Sequence, residues 1–235
     1  MKILAVETST DACSAALFVD GSIQEKFTVQ PRAHTKLILA MIDQLLADAQ
    51  INPQQLDALA LSRGPGSFTG VRIAAGVVQG IAYGADLPVV PVSTLAAMAQ
   101  DCFNRHPLVQ MAYTALDARM DEIFWGVYSR NSLGMAELTG LEAVTPVTAL
   151  IFPDAPGYGV GSGWLAHRSA LTDNLGQRIL AVEAEVYPRA AAVAQLGAYG
   201  YAQGQAVNVE QAMPVYLRDK VASTQAERSL AAKPQ

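Results

Sequence analysis

The chain has 235 residues, half of them hydrophobic and only 16% charged, which is enough apolar material for a sizeable core and room for two lobes of roughly 100 residues each. A net charge of −5 excludes the basic face that autonomous nucleic-acid binding needs, so any work on RNA calls for a basic partner. Cys13 and Cys102 have no metal-ligand spacing and read as buried thiols of a reducing compartment; the apolar run after Met1 is too short for a signal-peptide core, and no stretch approaches the ~20 apolar residues of a membrane span, so a cytoplasmic protein is expected.

Ile3 to Val6 is a short apolar run suited to a buried strand, and Glu7 to Asp11 is a polar turn. Cys13 to Val19 is a second strand, Asp20-Gly21 a hairpin signal, and Ile23 to Val29 a third strand, so the chain opens as an antiparallel meander. Pro31 to Ala49 carries Leu37, Ile38, Met41, Ile42, Leu45, Leu46 and Ala49 at helical spacing, a band wider than one core-facing stripe needs. Two explanations stand: burial on two sides within one domain, or one face on the domain and one on a partner. Asn52-Pro53 starts a short helix. A strand follows at Ala58 to Ser62, and then the loop Arg63-Gly64-Pro65-Gly66-Ser67.

Ser67 and Thr69 offer oxygens where the next helix starts. That helix carries Gly76 and Gly80 in its interior, each costing about 1 kcal/mol relative to alanine, and it ends near Gly84. The two interior glycines lie one turn apart and make a smooth strip fit for close contact with a helix, a sheet or a ligand. Pro88 to Val92 is a strand, and Ser93-Thr94 cap an alanine-rich helix from Leu95 to Phe103. Alternating strands and helices here predict a mixed sheet with parallel crossovers.

A break in composition falls at Asn104 to Pro107. Leu108 to Leu116, the turn Asp117 to Glu122 and Ile123 to Tyr128 repeat the strand-turn-strand shape of the N-terminus, which hints at two lobes on one plan. Within Leu141 to Leu150, Thr145-Pro146 is a plausible helix start. Gly157 to Trp164 is a glycine-rich strand-to-helix turn, and Tyr187-Pro188 opens a helix to about Gly204. Met213 to Arg218 is extended, and Ser223 to Gln235 lacks apolar periodicity and is expected to be loosely ordered. The expected division is 1–105, 106–222 and a tail at 223–235.

Four positions are candidate anion or nucleotide contacts: Arg63 and Ser67 at the first glycine loop, Gly161 and Gly163 at the second. The first loop lacks the lysine of a phosphate loop and its spacing fits neither a Walker nor a dinucleotide motif. His34, His106 and His167 form no helical metal pair, and no nucleophile elbow is present. Glu7, Asp11, Asp117 and Asp121 sit at the two hairpins, where carboxylates either hold a divalent cation or are simply turn residues.

Together these residues resemble the bacterial TsaB family, also called YeaZ. The resemblance lies in Ile3 to Thr10, Arg63 to Arg72, Asp117 to Met120, Gly161 to Trp164 and Pro214 to Arg218, in that order along nearly the whole chain, with Glu7 where aspartate is more usual. It implies an α/β fold of the actin/Hsp70/sugar-kinase type, two lobes of mixed sheets flanked by helices. It implies a part in transferring threonylcarbamoyl to N6 of adenosine 37 in tRNAs that read codons beginning with A. In that family the paralogue TsaD is catalytic, TsaE is the ATPase, and TsaB is a non-catalytic partner. The histidine pair of TsaD has Thr94 and Met98 in its place here, which implies no metal and no catalysis by this chain; ATP, ADP and metal would enter only through TsaD and TsaE. The expected partner face is Leu37, Met41, Leu45, Leu46, Phe68, Arg72, Gly76 and Gly80, paired with TsaD, or with a second copy when TsaD is absent; tRNA is met only through the complex, and no membrane is involved. The competing readings are a small-molecule kinase of the same fold and, against the missing histidine pair, a metallopeptidase.

Overall fold

The computed structural model describes residues 1–150 and 152–218. The expected meander is present as β1 (Lys2–Glu7), β2 (Ala12–Val19) and β3 (Ser22–Val29), with Glu7 opposite Ser14 and Lys2 opposite Val19. Alternate β1 residues feed two cores, Leu4 and Val6 on one face, Ile3 and Ala5 on the other. Both faces of the strand are covered, which is why its sequence is a continuous apolar run rather than an alternation.

Helix α1 (His34–Ala49) leads to β4 (Ala58–Ser62), parallel to β1, and α2 (Phe68–Ala85) leads to β5 (Val89–Val92), parallel to β4. The sheet runs β3-β2-β1-β4-β5. Ile38, Ile42 and Leu45 of α1 join Ala74, Val78 and Ala82 of α2 on one face. Helix α3 (Thr94–Arg105) lies between the two lobes: Ala97 joins the core on the opposite face of this sheet, while Leu95, Met98 and Phe103 join the core of the second.

The second sheet contains β6 (Met111–Arg119), β7 (Glu122–Arg130), β8 (Ala136–Leu138), β10 (Gly157–Val160) and β11 (Ile179–Glu183) in the order β11-β10-β6-β7-β8, with β9 (Ala143–Pro146) paired to β7. Two antiparallel neighbours lie on one side of β6 and two parallel strands on the other, the same plan as around β1. The weak internal repeat in the sequence is therefore a repeat of topology. Helices α4 (Gly163–Ala166) and α5 (Arg168–Leu175) cover its outer face through Trp164, Leu171 and Leu175. The fold class expected from the resemblance, two lobes of mixed sheets flanked by helices, is the one observed.

Three local expectations need correction. Thr145-Pro146 does not start a long helix: Pro146 is extended at the end of β9, and only one tight turn, Val147–Ala149, follows. A proline fits there because β9 pairs with β7 alone. The turn expected over Asp117 to Glu122 shrinks to Met120-Asp121, because β6 runs on to Arg119. The division at 105/106 misses a return of the chain: α6 (Ala190–Ala202) packs Val193, Ala194 and Gly197 onto Ile3, Ala5 and Ala60 of the first sheet. The tail expected at 223–235 lies outside the described residues.

Candidate functional site

A cleft of about 760 Å³ opens between the lobes. One wall is Ser9, Thr10, Asp11 and Pro65 to Phe68, the opposite wall is Leu116 to Arg119 with Ser162, and Val215 to Arg218 close one side. The two hairpin turns thus face each other across it. Their chemistry differs.

The turn after β1 is filled by the chain itself. The Ser67 N–H donates to the Ser9 carbonyl at 2.7 Å, and the Thr8 hydroxyl donates to the Gly70 carbonyl at 2.8 Å. A Cβ on Gly66 would lie 2.5 Å from the Ser9 carbonyl oxygen, and one on Gly70 would collide with the Thr8 carbonyl. The glycines of the first loop are thus set by backbone meeting backbone, and Thr8 and Ser9 are fully buried beneath them. A phosphate at this turn would need the space that the loop fills and the Ser9 amide that Glu7 holds. Ser67 caps α2, its hydroxyl accepting from the Gly70 N–H at 3.4 Å.

Glu7 lies fully buried below the turn. Its carboxylate accepts the Ser9 N–H, and burial raises its pKa against the opposing pull of Ser62 and Ser9. His34 Nε2 contacts the carbonyls of Thr10 and Ala12 at 2.8 and 3.1 Å, so that nitrogen carries the proton and pins the far end of the turn. Thr94 is buried and shares a 2.6 Å hydrogen bond with Ser62; Met98 is buried against Gly161. Thr94 and Met98 are therefore both committed to internal packing. Among the described residues no three His, Cys, Asp or Glu side chains gather to hold a metal.

The turn after β6 is exposed and backbone-strained. Arg119, Met120 and Asp121 all have positive φ, at 64, 58 and 58°. Such a conformation costs a non-glycine residue roughly 1–2 kcal/mol. The Asp117 carboxylate accepts the Arg119 N–H and lies 3.2 Å from the Arg119 guanidinium, while Asp117 N–H donates to Ser162.

Of the four anion candidates, Ser67 alone lines the cleft. A Cβ on Gly163 would lie 2.7 Å from the Ala115 Cβ, and Gly161 has φ +105° and abuts Met98 and the Ala115 carbonyl, so both serve the packing of the β10 turn on β6. Arg63 turns to a buried node absent from the sequence reading, where Glu142 accepts the Ser93 and Tyr128 hydroxyls and lies 3.9 Å from the Arg63 guanidinium. Burial and the neighbouring Glu142 push the Tyr128 phenol well up. Only position-blind chemistry links these four residues in sequence, so no local pattern signals the node.

The expected partner face divides in two. Leu45 is 0% and Leu46 8% exposed, both in the core under α1, which corrects their place on that face; Leu37 and Met41 are half-buried at its edge. Phe68, Arg72, Gly76 and Gly80 follow one another at i+4 along the open side of α2, with Tyr83 beyond them at 79% exposure. A Cβ at Gly76, Gly80 or Gly84 would meet no other part of the described residues within 4 Å, and Gly76 and Gly80 have ordinary helical backbone. No helix among the described residues is long and apolar enough to cross a membrane.

A family model described as TsaD: tRNA N6-adenosine threonylcarbamoyltransferase matches residues 24–226. The tRNA threonylcarbamoyladenosine biosynthesis protein TsaB of Escherichia coli (strain K12) is 38% identical over 231 residues, covering 94% of this chain and 96% of the relative. The protein of the same name from Bacillus subtilis (strain 168) is 29% identical, covering 93% and 94%. Among solved structures, YeaZ from Pseudomonas aeruginosa matches with a TM-score of 0.84 at 41% identity, covering 92% of this chain and 99% of that one.

Proposed function

The chain belongs to the TsaB family of tRNA threonylcarbamoyladenosine biosynthesis proteins, and from that premise we propose that it is a non-catalytic subunit that docks TsaD on the open side of α2. In this role it supports TsaD and TsaE in moving threonylcarbamoyl from its adenylate to N6 of adenosine 37 in tRNAs reading codons that begin with A. It meets tRNA through the complex, and nucleotide and metal through its partners. Without TsaD the same face pairs with a second copy.

One observation carries the docking face. Gly76 and Gly80 sit inside a helix at a cost of about 1 kcal/mol each, and nothing among the described residues requires them: their backbone is helical and the space where a Cβ would stand is open. A partner helix approaching closely along Phe68, Arg72, Gly76 and Gly80 accounts for both glycines. Leu37 and Met41 border that contact. A kinase reading needs a first turn that admits phosphate, and the contact of Gly66 and Gly70 with Ser9 and Thr8 weighs against it.

Reconstitution tests the role. TsaD, TsaE, the adenylate donor and unmodified tRNA are combined with and without this chain, and modified adenosine is counted. Modification that depends on the chain in stoichiometric proportion to TsaD is expected. Full modification without it refutes the role, and turnover by this chain with TsaD left out refutes its non-catalytic part.

A further inference from the structure

We propose that the segment from Ala212 to Arg218 is a strap that couples the open side of α2 to the closure of the interlobe cleft. On the first lobe it is anchored several times. Gln79 Nε2 donates to the Ala212 carbonyl at 2.9 Å, the Val215 N–H donates to the Arg63 carbonyl at 2.8 Å, and the Tyr216 ring lies 5.8 Å from that of Phe68. The Arg72 guanidinium covers both rings, 3.2 Å from the Phe68 centroid and 4.8 Å from that of Tyr216. On the second lobe, among the described residues, Arg218 holds the strap. Its guanidinium pairs with Glu122 and lies 3.4 Å from the Arg119 carbonyl, at the positive-φ turn after β6. Val215 to Arg218 meanwhile line the cleft.

The strap is short. Three residue steps separate the Val215 amide from Arg218, a reach of about 10 Å when fully extended. If the lobes part, either Arg218 leaves Glu122 or the strap peels from Arg63. If Phe68 and Arg72 are drawn aside, Tyr216 loses its stack and the pull on Arg218 changes. The face of α2 and the turn of the second lobe are thus two ends of one short extended segment, and an event at either end shifts the other by the same coupling free energy. Docking on α2 gives the strap its use; the test runs without TsaD and at a dilution where the chain is monomeric by light scattering, so that its failure is distinct from failure of the docking.

Hydrogen exchange on the intact chain reads both ends. Arg218→Ala and the milder Glu122→Gln release the second-lobe end, Arg72→Ala the first, and the pair Glu122→Arg with Arg218→Glu restores the latch with its charges exchanged. Release at the second lobe is expected to speed exchange of the Val215 amide about tenfold, a local opening rather than global unfolding. Arg72→Ala is expected to speed exchange in the turn at 119–122, which Arg72 does not touch, and the charge exchange to restore protection. If Glu122→Gln leaves Val215 at its original rate, or Arg72→Ala loosens Val215 while the turn keeps its protection, the strap carries no coupling and the proposal is overturned.

Discussion

The turn after β1 and the turn after β6 hold the same place in two sheets of the same strand order, and they face each other across one cleft. In the first, Thr8 and Ser9 are buried, the Ser9 carbonyl and the space around it are taken by the loop from Gly64 to Gly70, and the Ser9 amide is held by Glu7. The second is exposed and carries three non-glycine residues in left-handed backbone, held by Asp117 and Arg218. A duplicated plan has been put to two uses. One copy fixes the start of α2, and so the direction of the helix whose open side is proposed to dock a partner. The other forms a free wall of the cleft. Small local choices, glycine against carbonyl in one turn and charge pairs in the other, separate the two far more than topology does.

The largest expected effect breaks the first turn. Gly70→Val forces a Cβ onto the Thr8 carbonyl and is expected to cost about 3 kcal/mol, read as a lower urea midpoint. An unchanged midpoint would mean that the loop does not seal the turn as described. Next comes α2, where the glycines meet nothing: Gly76→Ala with Gly80→Ala is expected to raise the stability of the free chain by about 1 kcal/mol per site. Loss of stability there would show that the helix uses those glycines internally.

The second turn gives a smaller gain. Asp121→Gly removes one left-handed non-glycine residue and is expected to stabilise the chain by about 1 kcal/mol, seen as a raised thermal midpoint. The same change made at Asp11, whose backbone is not left-handed, should give no such gain, and the contrast between the two turns rests on that difference.

The pH dependence gives the smallest effect. Burial raises Glu7, so the folded chain keeps its proton to a higher pH than the unfolded chain, whose glutamates titrate near ~4.3. The contribution to stability is whole below that pH and is lost as pH rises toward the raised folded value. Glu183 runs the other way. Burial alone would raise it, but Arg105 and His106 hold it low, so its contribution is present above ~4.3 and is lost as pH falls through the lowered value. Glu7→Gln is therefore expected to gain on the parent chain as pH rises in urea titrations, and a constant difference across pH would place Glu7 outside the titration.

Much of the first lobe was legible in the sequence because its signals are local. The run from Ile3 to Val6, the Asp20-Gly21 hairpin, the helical spacing from Leu37 to Ala49 and the Ser93 cap each need only a few neighbouring residues. The second lobe was read less well. β8, β9 and β11 are short and half-exposed, and Pro146 looks the same at a helix start and at the end of an edge strand. The return of α6 to the first sheet is a long-range contact with no local mark. In the site, the glycines of the first loop were compatible with phosphate or with packing, and the choice depended on Thr8 and Ser9, which only the fold brings beneath them. Leu45 and Leu46 shared a periodic band with Leu37 and Met41, and periodicity does not say which part of a wide band faces inward. Pro214 to Arg218 was visible as a motif, but its bridge to Glu122 needs both lobes in place.

The open side of α2 is the proposed docking face. The most direct measurement is calorimetric titration of TsaD into this chain and into the Gly76→Leu, Gly80→Leu variant, with circular dichroism to establish that the variant is folded. A Cβ at either site meets no other part of the described residues within 4 Å, and both sites are exposed, so the variant is expected to fold as the parent does. It is expected to lose TsaD binding by at least a hundredfold, about 2.7 kcal/mol. A folded variant that binds TsaD as tightly as the parent would contradict the claim that this face is where the partner docks.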